Sequence, residues 1–248
     1  MSPLRFESTF DRIYKTDLVY APNCWQLCGD AHCCNFTRYK SAMSILGRSL
    51  QELPLLPGEF EFLSARGWIK RFANVQHRVI EFPLSLGVMR LEFLVGHSQS
   101  CACEHDTRTT VCRLYPLLPI YDLLGRVTGV DMSFGIFEEI EAIDQTPRAC
   151  KLDQIPFSEL GKFLTISNAI AQNPTQLFYV MAYQIAKIHA AEQLRRAKQG
   201  AKPGTSTLRI FEGLYALGRL MDGSLMRVRL DALSDEFARR YGEGFAVA

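Results

Sequence analysis

Residues 77–97 alternate along the chain. Val88, Arg90, Glu92 and Leu94 fall on one face of an extended segment, and Met89, Leu91, Phe93 and Val95 on the other, which is the period of two that a strand imposes. Residues 79–84 read as its partner, with a bend over Pro83 to Gly87, and a small antiparallel sheet is expected. Before it, Met43, Leu46 and Leu50 are spaced for a helix over 41–51, which Pro54, Pro57 and Gly58 then break. Phe60 and Leu63 predict a short helix over 59–66, with Gly67 as its stop.

The pattern changes in the second half. Residues 113–122 are apolar, but Pro116 and Pro119 argue against a regular helix, and a further strand or hairpin is expected within 125–143. From 157 onward the periodicity is helical. One helix is predicted over 157–171, closed by Asn173-Pro174, and a second over 175–198, where Leu177, Met181, Ile185 and Ile188 form an apolar stripe expected to face the core. A linker rich in Gly, Pro, Ser and Thr spans 200–206, and two short helices are expected over 208–221 and 230–241. The fold class is therefore α+β: a small cysteine-rich metal-binding region with a short antiparallel sheet over 1–150, then a mainly helical part over 151–248 packed on it.

With 248 residues, 48% of them hydrophobic, the chain can bury a sizeable core. A net charge of +2 with 22% charged residues points to no strong nucleic-acid footprint. The basic run Arg195, Arg196 and Lys198 ends a predicted helix, where cations complement the helix dipole. The acidic run Glu138-Glu139-Ile140-Glu141 reads as a solvated helix face. The stretch from Met1 to Glu7 lacks the basic start and apolar run of a secretory signal, and no apolar stretch approaches the roughly 20 residues that cross a bilayer. A cytoplasmic location without membrane contact is expected.

That expectation governs how the 8 cysteines are read. In a reducing compartment, clustered thiols serve metals or catalysis rather than structural disulfides. The first cluster runs Cys24-Trp25-Gln26-Leu27-Cys28-Gly29-Asp30-Ala31-His32-Cys33-Cys34, and the second comprises Cys101, Cys103 and Cys112. Cys150 stands apart and reads as a small buried hydrophobe. Cys101 and Cys103, two positions apart, project to one face of an extended chain, whereas adjacent Cys33 and Cys34 face one ion together only in a turn.

Cys24, Cys28, Cys33, Cys34, Cys101, Cys103 and Cys112 are thus the candidate metal ligands. Four thiolates hold either a tetrahedral zinc or an iron–sulfur cluster such as 4Fe-4S. The pool exceeds what one such site needs, so a second metal or thiols kept for chemistry enter the reading. His32, His97 and His105 lie within or beside the clusters and are able to replace sulfur. Asp30, Glu104 and Asp106 read as turn and surface residues. Arg113, next to Cys112, is placed to hydrogen-bond a sulfur or a carboxylate.

These residues resemble a bacterial cysteine-cluster family, the YkgJ-like putative zinc- or iron-chelating domain. The likeness covers about residues 20–122. It rests on Cys28-Gly29, on Cys33-Cys34, on the leucine- and proline-rich stretch ending in Glu59, and on Arg108 followed by Cys112-Arg113-Leu114-Tyr115-Pro116. Thr109 stands where a proline usually follows the arginine. The resemblance implies a cysteine-bound metal, with an iron–sulfur cluster favoured in the branch that includes flagellin lysine N-methylase. No S-adenosylmethionine loop accompanies it, because Gly125-Arg126-Val127-Thr128-Gly129 lacks the strand-to-helix context of a nucleotide-binding turn.

Two functions follow as expectations. The first is an iron–sulfur protein serving a protein-modifying or redox enzyme, with a protein as partner or substrate. The second is a non-catalytic, zinc-stabilised protein-binding module. No serine–histidine pair, phosphate loop or zincin motif points to another chemistry.

Overall fold

The computed structural model describes residues 4–20, 51–72, 75–96, 105–132, 155–217, 219, 223–242, 245 and 247. Helix α1 (Leu4–Lys15) is followed by strand β1 (Gln51–Leu55), helix α2 (Glu59–Ala65) and a 3-10 turn over Trp68–Arg71. Strands β2 (Val75–Leu84) and β3 (Gly87–Gly96) come next, then a second 3-10 turn at His105–Thr107 and helix α3 (Thr110–Leu114). A second hairpin pairs β4 (Leu117–Tyr121) with β5 (Val127–Met132). Helices α4 (Phe157–Ala171), α5 (Pro174–Gln199), α6 (Thr207–Ala216) and α7 (Gly223–Tyr241) complete a mixed α+β fold with short antiparallel sheets.

The alternating segment is the central strand of a three-stranded sheet ordered β1-β3-β2. Its register with β2 runs from Val75 opposite Gly96 to Leu84 opposite Gly87, so the hairpin is longer than the expected partner over 79–84. Strand β1 was expected as the break that ends a helix over 41–51. Instead residues 51–55 pair with β3, Pro54 lying opposite Phe93. A proline is tolerated there because β1 is an edge strand with only one neighbour to satisfy. The rest of the expected 41–51 helix lies outside the described residues.

The apolar run 113–122 carries no regular helix beyond Leu114, as expected. It ends α3, turns at a cis Tyr115–Pro116 peptide and continues as β4. Pro119 sits opposite Val130 in this two-stranded ladder, again with no partner on its other side. Part of the hairpin expected within 125–143 is β5; residues 133–143 lie outside the described residues.

The helices follow their periodicity closely. Helix α4 has the expected bounds, and α5 begins one residue earlier because Pro174 occupies its first turn, where a missing amide proton is harmless. Asn173 caps α5, its side chain accepting from Thr175 N at 3.1 Å and Gln176 N at 3.2 Å. Leu177 of the apolar stripe is fully buried and Met181 and Ile185 are partly so, but Ile188 is 48% exposed. The stripe has rotated out of the core by its fourth member. Helix α7 starts well before the expected 230, with Leu225 and Val228 exposed and Met226, Leu230 and Phe237 buried.

One continuous set of buried side chains joins the two halves. It includes Phe6, Phe10 and Ile13 of α1, Leu53 and Leu55 of β1, Leu94 of β3, Phe163 and Ile166 of α4, and Phe178, Phe237 and Phe245. Polar clasps reinforce it. The Arg90 amide donates to the Tyr179 hydroxyl at 2.8 Å, and the Asp231 carboxylate accepts the Ser85 amide at 2.6 Å in the β2–β3 turn. Among the described residues no helix is long and apolar enough to cross a membrane.

Candidate functional site

Glu59 opens α2, and its carboxylate turns inward, 0% exposed. Local geometry forces this. Gly58 adopts φ +81°, and a Cβ at that position would lie 2.5 Å from the Phe6 ring, so only glycine lets the chain press this turn against α1. Glu59 N donates to Leu56 O at 2.9 Å while Leu56 N donates to Glu59 Oε2 at 2.9 Å, closing the turn with two reciprocal bonds.

The other carboxylate oxygen gathers three donors. Glu59 Oε1 accepts from the Tyr14 hydroxyl at 2.7 Å, from Thr110 N at 2.6 Å and from Thr110 Oγ1 at 2.7 Å. Thr110 N is the first amide of α3, so a carboxylate from a distant segment takes the capping position that the helix's own preceding residue leaves vacant. Thr109, the N-cap residue, makes no side-chain cap bond, and its buried Oγ1 has no hydrogen-bond partner among the described residues. A negative group at this end suits the helix dipole.

Burial raises the Glu59 carboxyl above the ordinary glutamate range, and its bonds from Thr110, Tyr14 and Leu56 act in the opposite sense. Arg113 supplies the compensating charge. It is 2% exposed, with its guanidinium 4.5 Å above the Tyr14 ring, and burial pulls its pKa down. Burial also drives the Tyr14 phenol well above its usual value, with the Glu59 charge adding to the effect.

Arg113 is equally a fastener of backbone. Nε donates to Arg108 O at 3.0 Å and Nη1 to Thr16 O at 3.4 Å, and Nη2 donates to Asp106 O. Two more bonds tie the same segments together: Arg108 Nη2 to Leu18 O at 3.2 Å, and the Tyr20 hydroxyl to Leu114 O at 3.0 Å. Residues 16–20, which lead toward the first cysteine cluster, are thereby fixed to residues 106–114, which carry Cys112 of the second. The planar five-donor fork makes this possible, and a lysine in its place would reach fewer carbonyls.

Cys112 is half-buried on α3 between these anchors. Tyr183 of α5 is 44% exposed, and burial raises its phenol pKa. Cys24, Cys28, Cys33, Cys34, Cys101 and Cys103 lie outside the described residues, as do His32, His97, Asp30, Glu104 and Cys150. The His105 backbone opens the 3-10 turn before α3. Asp106 is a surface residue as expected, its carboxylate 3.5 Å from Arg71 Nη1.

Among the described residues no group of three or more His, Cys, Asp or Glu side chains is arranged to hold an ion. Cys112 is the one described donor of the seven. It fits a thiolate ligand: half-buried, on a short helix held at both ends, beside segments that continue into the remaining cysteines. Among the described residues the Arg113 guanidinium bonds the carbonyls of Thr16, Asp106 and Arg108 and covers the Tyr14 ring; its expected bond to a sulfur or a carboxylate is not among these. Tyr14 is the residue that sequence reasoning passes over, and Glu59 enters it only as the end of the leucine- and proline-rich stretch, with no role assigned. A glutamate after Pro-Gly reads as an ordinary first-turn acid, and no local pattern announces that it faces inward. No protein-family model, characterised protein or solved structure matches this chain.

Proposed function

We propose that this chain is a metal-binding protein whose centre is an iron–sulfur cluster, with ligands drawn from Cys24, Cys28, Cys33, Cys34, Cys101, Cys103 and Cys112, and that it serves a protein-modifying or redox reaction with a protein as partner or substrate. The observation that carries this reading is the Arg113 junction. One buried side chain beside Cys112 ties the carbonyls of Thr16, Arg108 and Asp106 together. The segments that lead into the first cluster and the helix that carries Cys112 are thereby joined at one point, an arrangement that supports chelation over separate roles.

The family resemblance supports the same reading through Cys28, Cys33, Cys34 and Cys112, and gives the preference for iron and sulfide over zinc. When bound, such a cluster supplies one-electron chemistry, and the chain supplies thiolates, a half-closed environment and the neighbouring Arg113 charge.

Anaerobic purification tests the proposal. Brown protein with iron and acid-labile sulfide, reduced in the Cys112→Ser variant, is the expected result. Colourless protein that holds stoichiometric zinc and no iron or sulfide, even after anaerobic reconstitution, would overturn it and leave the zinc-stabilised binding module as the better description.

A further inference from the structure

Strand β2 forms one edge of the three-stranded sheet, with β3 as its one neighbour among the described residues. Which of its main-chain groups face outward follows from a bond on the far side of β3. The Arg90 amide donates to the Tyr179 hydroxyl at 2.8 Å and so points away from β2. Glu81, opposite Arg90, therefore belongs to a non-hydrogen-bonded pair, and along the regular ladder Val75, His77 and Val79 share its phase. These four residues turn N–H and C=O away from the sheet, and among the described residues no hydrogen bond takes those groups up. His77 shows the result: the residue is exposed while its side chain is only 26% exposed, so its main chain is open to solvent.

The opposite edge does not offer the same capacity. Strand β1 has 5 residues, and Pro54 lies in its outward phase, where it has no amide to donate. The proline of β2, Pro83, is also in the outward phase but stands next to the end of the strand. The clasp from Ser85 to Asp231 of α7 lies beyond that end, in the turn. Open pairing groups are thus concentrated in Val75 to Glu81, a run long enough to hold a further strand.

We propose that β2 pairs antiparallel with β2 of a second copy of this chain about a two-fold axis at Val79, joining two three-stranded sheets into one continuous sheet. Charge complementarity selects this occupant and this register. With the axis at Val79, His77 lies opposite Glu81 of the second copy and Arg78 lies opposite Ile80, and symmetry makes each pair twice. His77 is already fixed for the contact, with Nε2 2.8 Å from Glu92 Oε2 and the Phe60 ring stacked on the imidazole at 3.7 Å. Ile80, 41% exposed on the other face of β2, gains the aliphatic stem of Arg78 as cover. An axis at Arg78 would set two arginines against each other. An axis at Ile80 would set His77 against Pro83, which has no amide to exchange. The pairing does not depend on the metal reading.

Sedimentation velocity of the full chain, at concentrations up to roughly 100 µM, should show the 28.1 kDa chain converting reversibly to a species of twice that mass. Val79→Pro removes an outward amide that bonds nothing within one chain, so the fold should survive while the dimer dissociation constant rises about tenfold or more. Glu81→Lys leaves the ladder untouched, removes both charge pairs and sets a lysine against each imidazole. It should weaken the dimer several-fold, and it decides the matter if Val79→Pro does not fold. Hydrogen exchange reads the register directly. The amides of His77, Val79 and Glu81 should exchange fast in dilute protein and slow on association, whereas the inward amide of Ile80 is protected in both states. A chain that stays monomeric throughout overturns the proposal. So does a dimer that Glu81→Lys leaves unchanged, or one in which those three amides gain no protection.

Discussion

Glu59 and Arg113 address the same side chain from two directions. The carboxylate accepts the Tyr14 hydroxyl at 2.7 Å, and the guanidinium covers the ring at 4.5 Å. The two groups share no hydrogen bond among those described, yet the Glu59 charge acts on Arg113 and opposes the effect of its burial. Through Thr110 the first caps α3, and through three carbonyls the second ties down the chain on either side of it. The position of Cys112 is therefore set by a pair of charges taken out of water, an arrangement that is costly to break from one side.

Glu59→Ala should destabilise the chain by about 4 kcal/mol, since it strands several buried donors at once and leaves the Arg113 charge without its counterpart. Arg113→Lys should lower stability by less, as the charge survives and the fork does not. Urea denaturation checks both. In a double-mutant cycle of Glu59→Gln with Arg113→Met, a coupling of about 1 kcal/mol or more is expected; strict additivity would show that the charges do not cooperate.

The pH dependence has a definite sign. Burial raises the Glu59 carboxyl in the folded state, so between its ordinary and its elevated value the folded chain binds more protons than the unfolded one. Stability contributed by this group is present below the ordinary glutamate range and declines as pH rises through the elevated value. Glu92, raised by burial and by the neighbouring Glu61 charge, acts in the same sense. Measured from mildly acid to neutral pH, the decline should be shallower in Glu59→Gln than in the wild type. Parallel curves would refute the assignment.

Gly58→Ala should cost about 3 kcal/mol, because it combines a positive φ with a Cβ driven into the Phe6 ring. Gly67 offers the control. It has φ +68° with nothing near its Cβ, and its alanine variant should lose about 1 kcal/mol from backbone strain alone. Thermal or urea unfolding that ranks the two variants in the opposite order would contradict the packing of the α1–α2 turn described above.

Asn173→Ala should destabilise by about 1 kcal/mol, since the buried side chain holds two first-turn amides of α5. Asn173→Asp should retain most of that stability, as its carboxylate also accepts both amides and suits the helix dipole. Denaturation midpoints distinguish this from a purely local effect of side-chain volume, under which the two variants would suffer alike.

What the sequence by itself determined is whatever repeats over short distances. The β2–β3 hairpin was legible because Val88 to Val95 alternate, and α4 and α5 were legible because their apolar residues recur at helical spacing and Asn173-Pro174 marks a boundary. The pool of seven thiols was legible as well, since clustering is a property of the chain alone. Strands β1 and β4 were not, because Pro54 and Pro119 forbid regular structure in general and permit it only at an edge, and which strand is an edge depends on what else joins the sheet. Nor was the Tyr14–Glu59–Arg113 arrangement. Its members come from three separate segments, and a buried carboxylate is tolerable only where donors and a counter-charge from those segments converge on it. Convergence of this kind is a property of the folded chain, and it turned an unremarkable first-turn glutamate into the residue on which the placement of Cys112 depends.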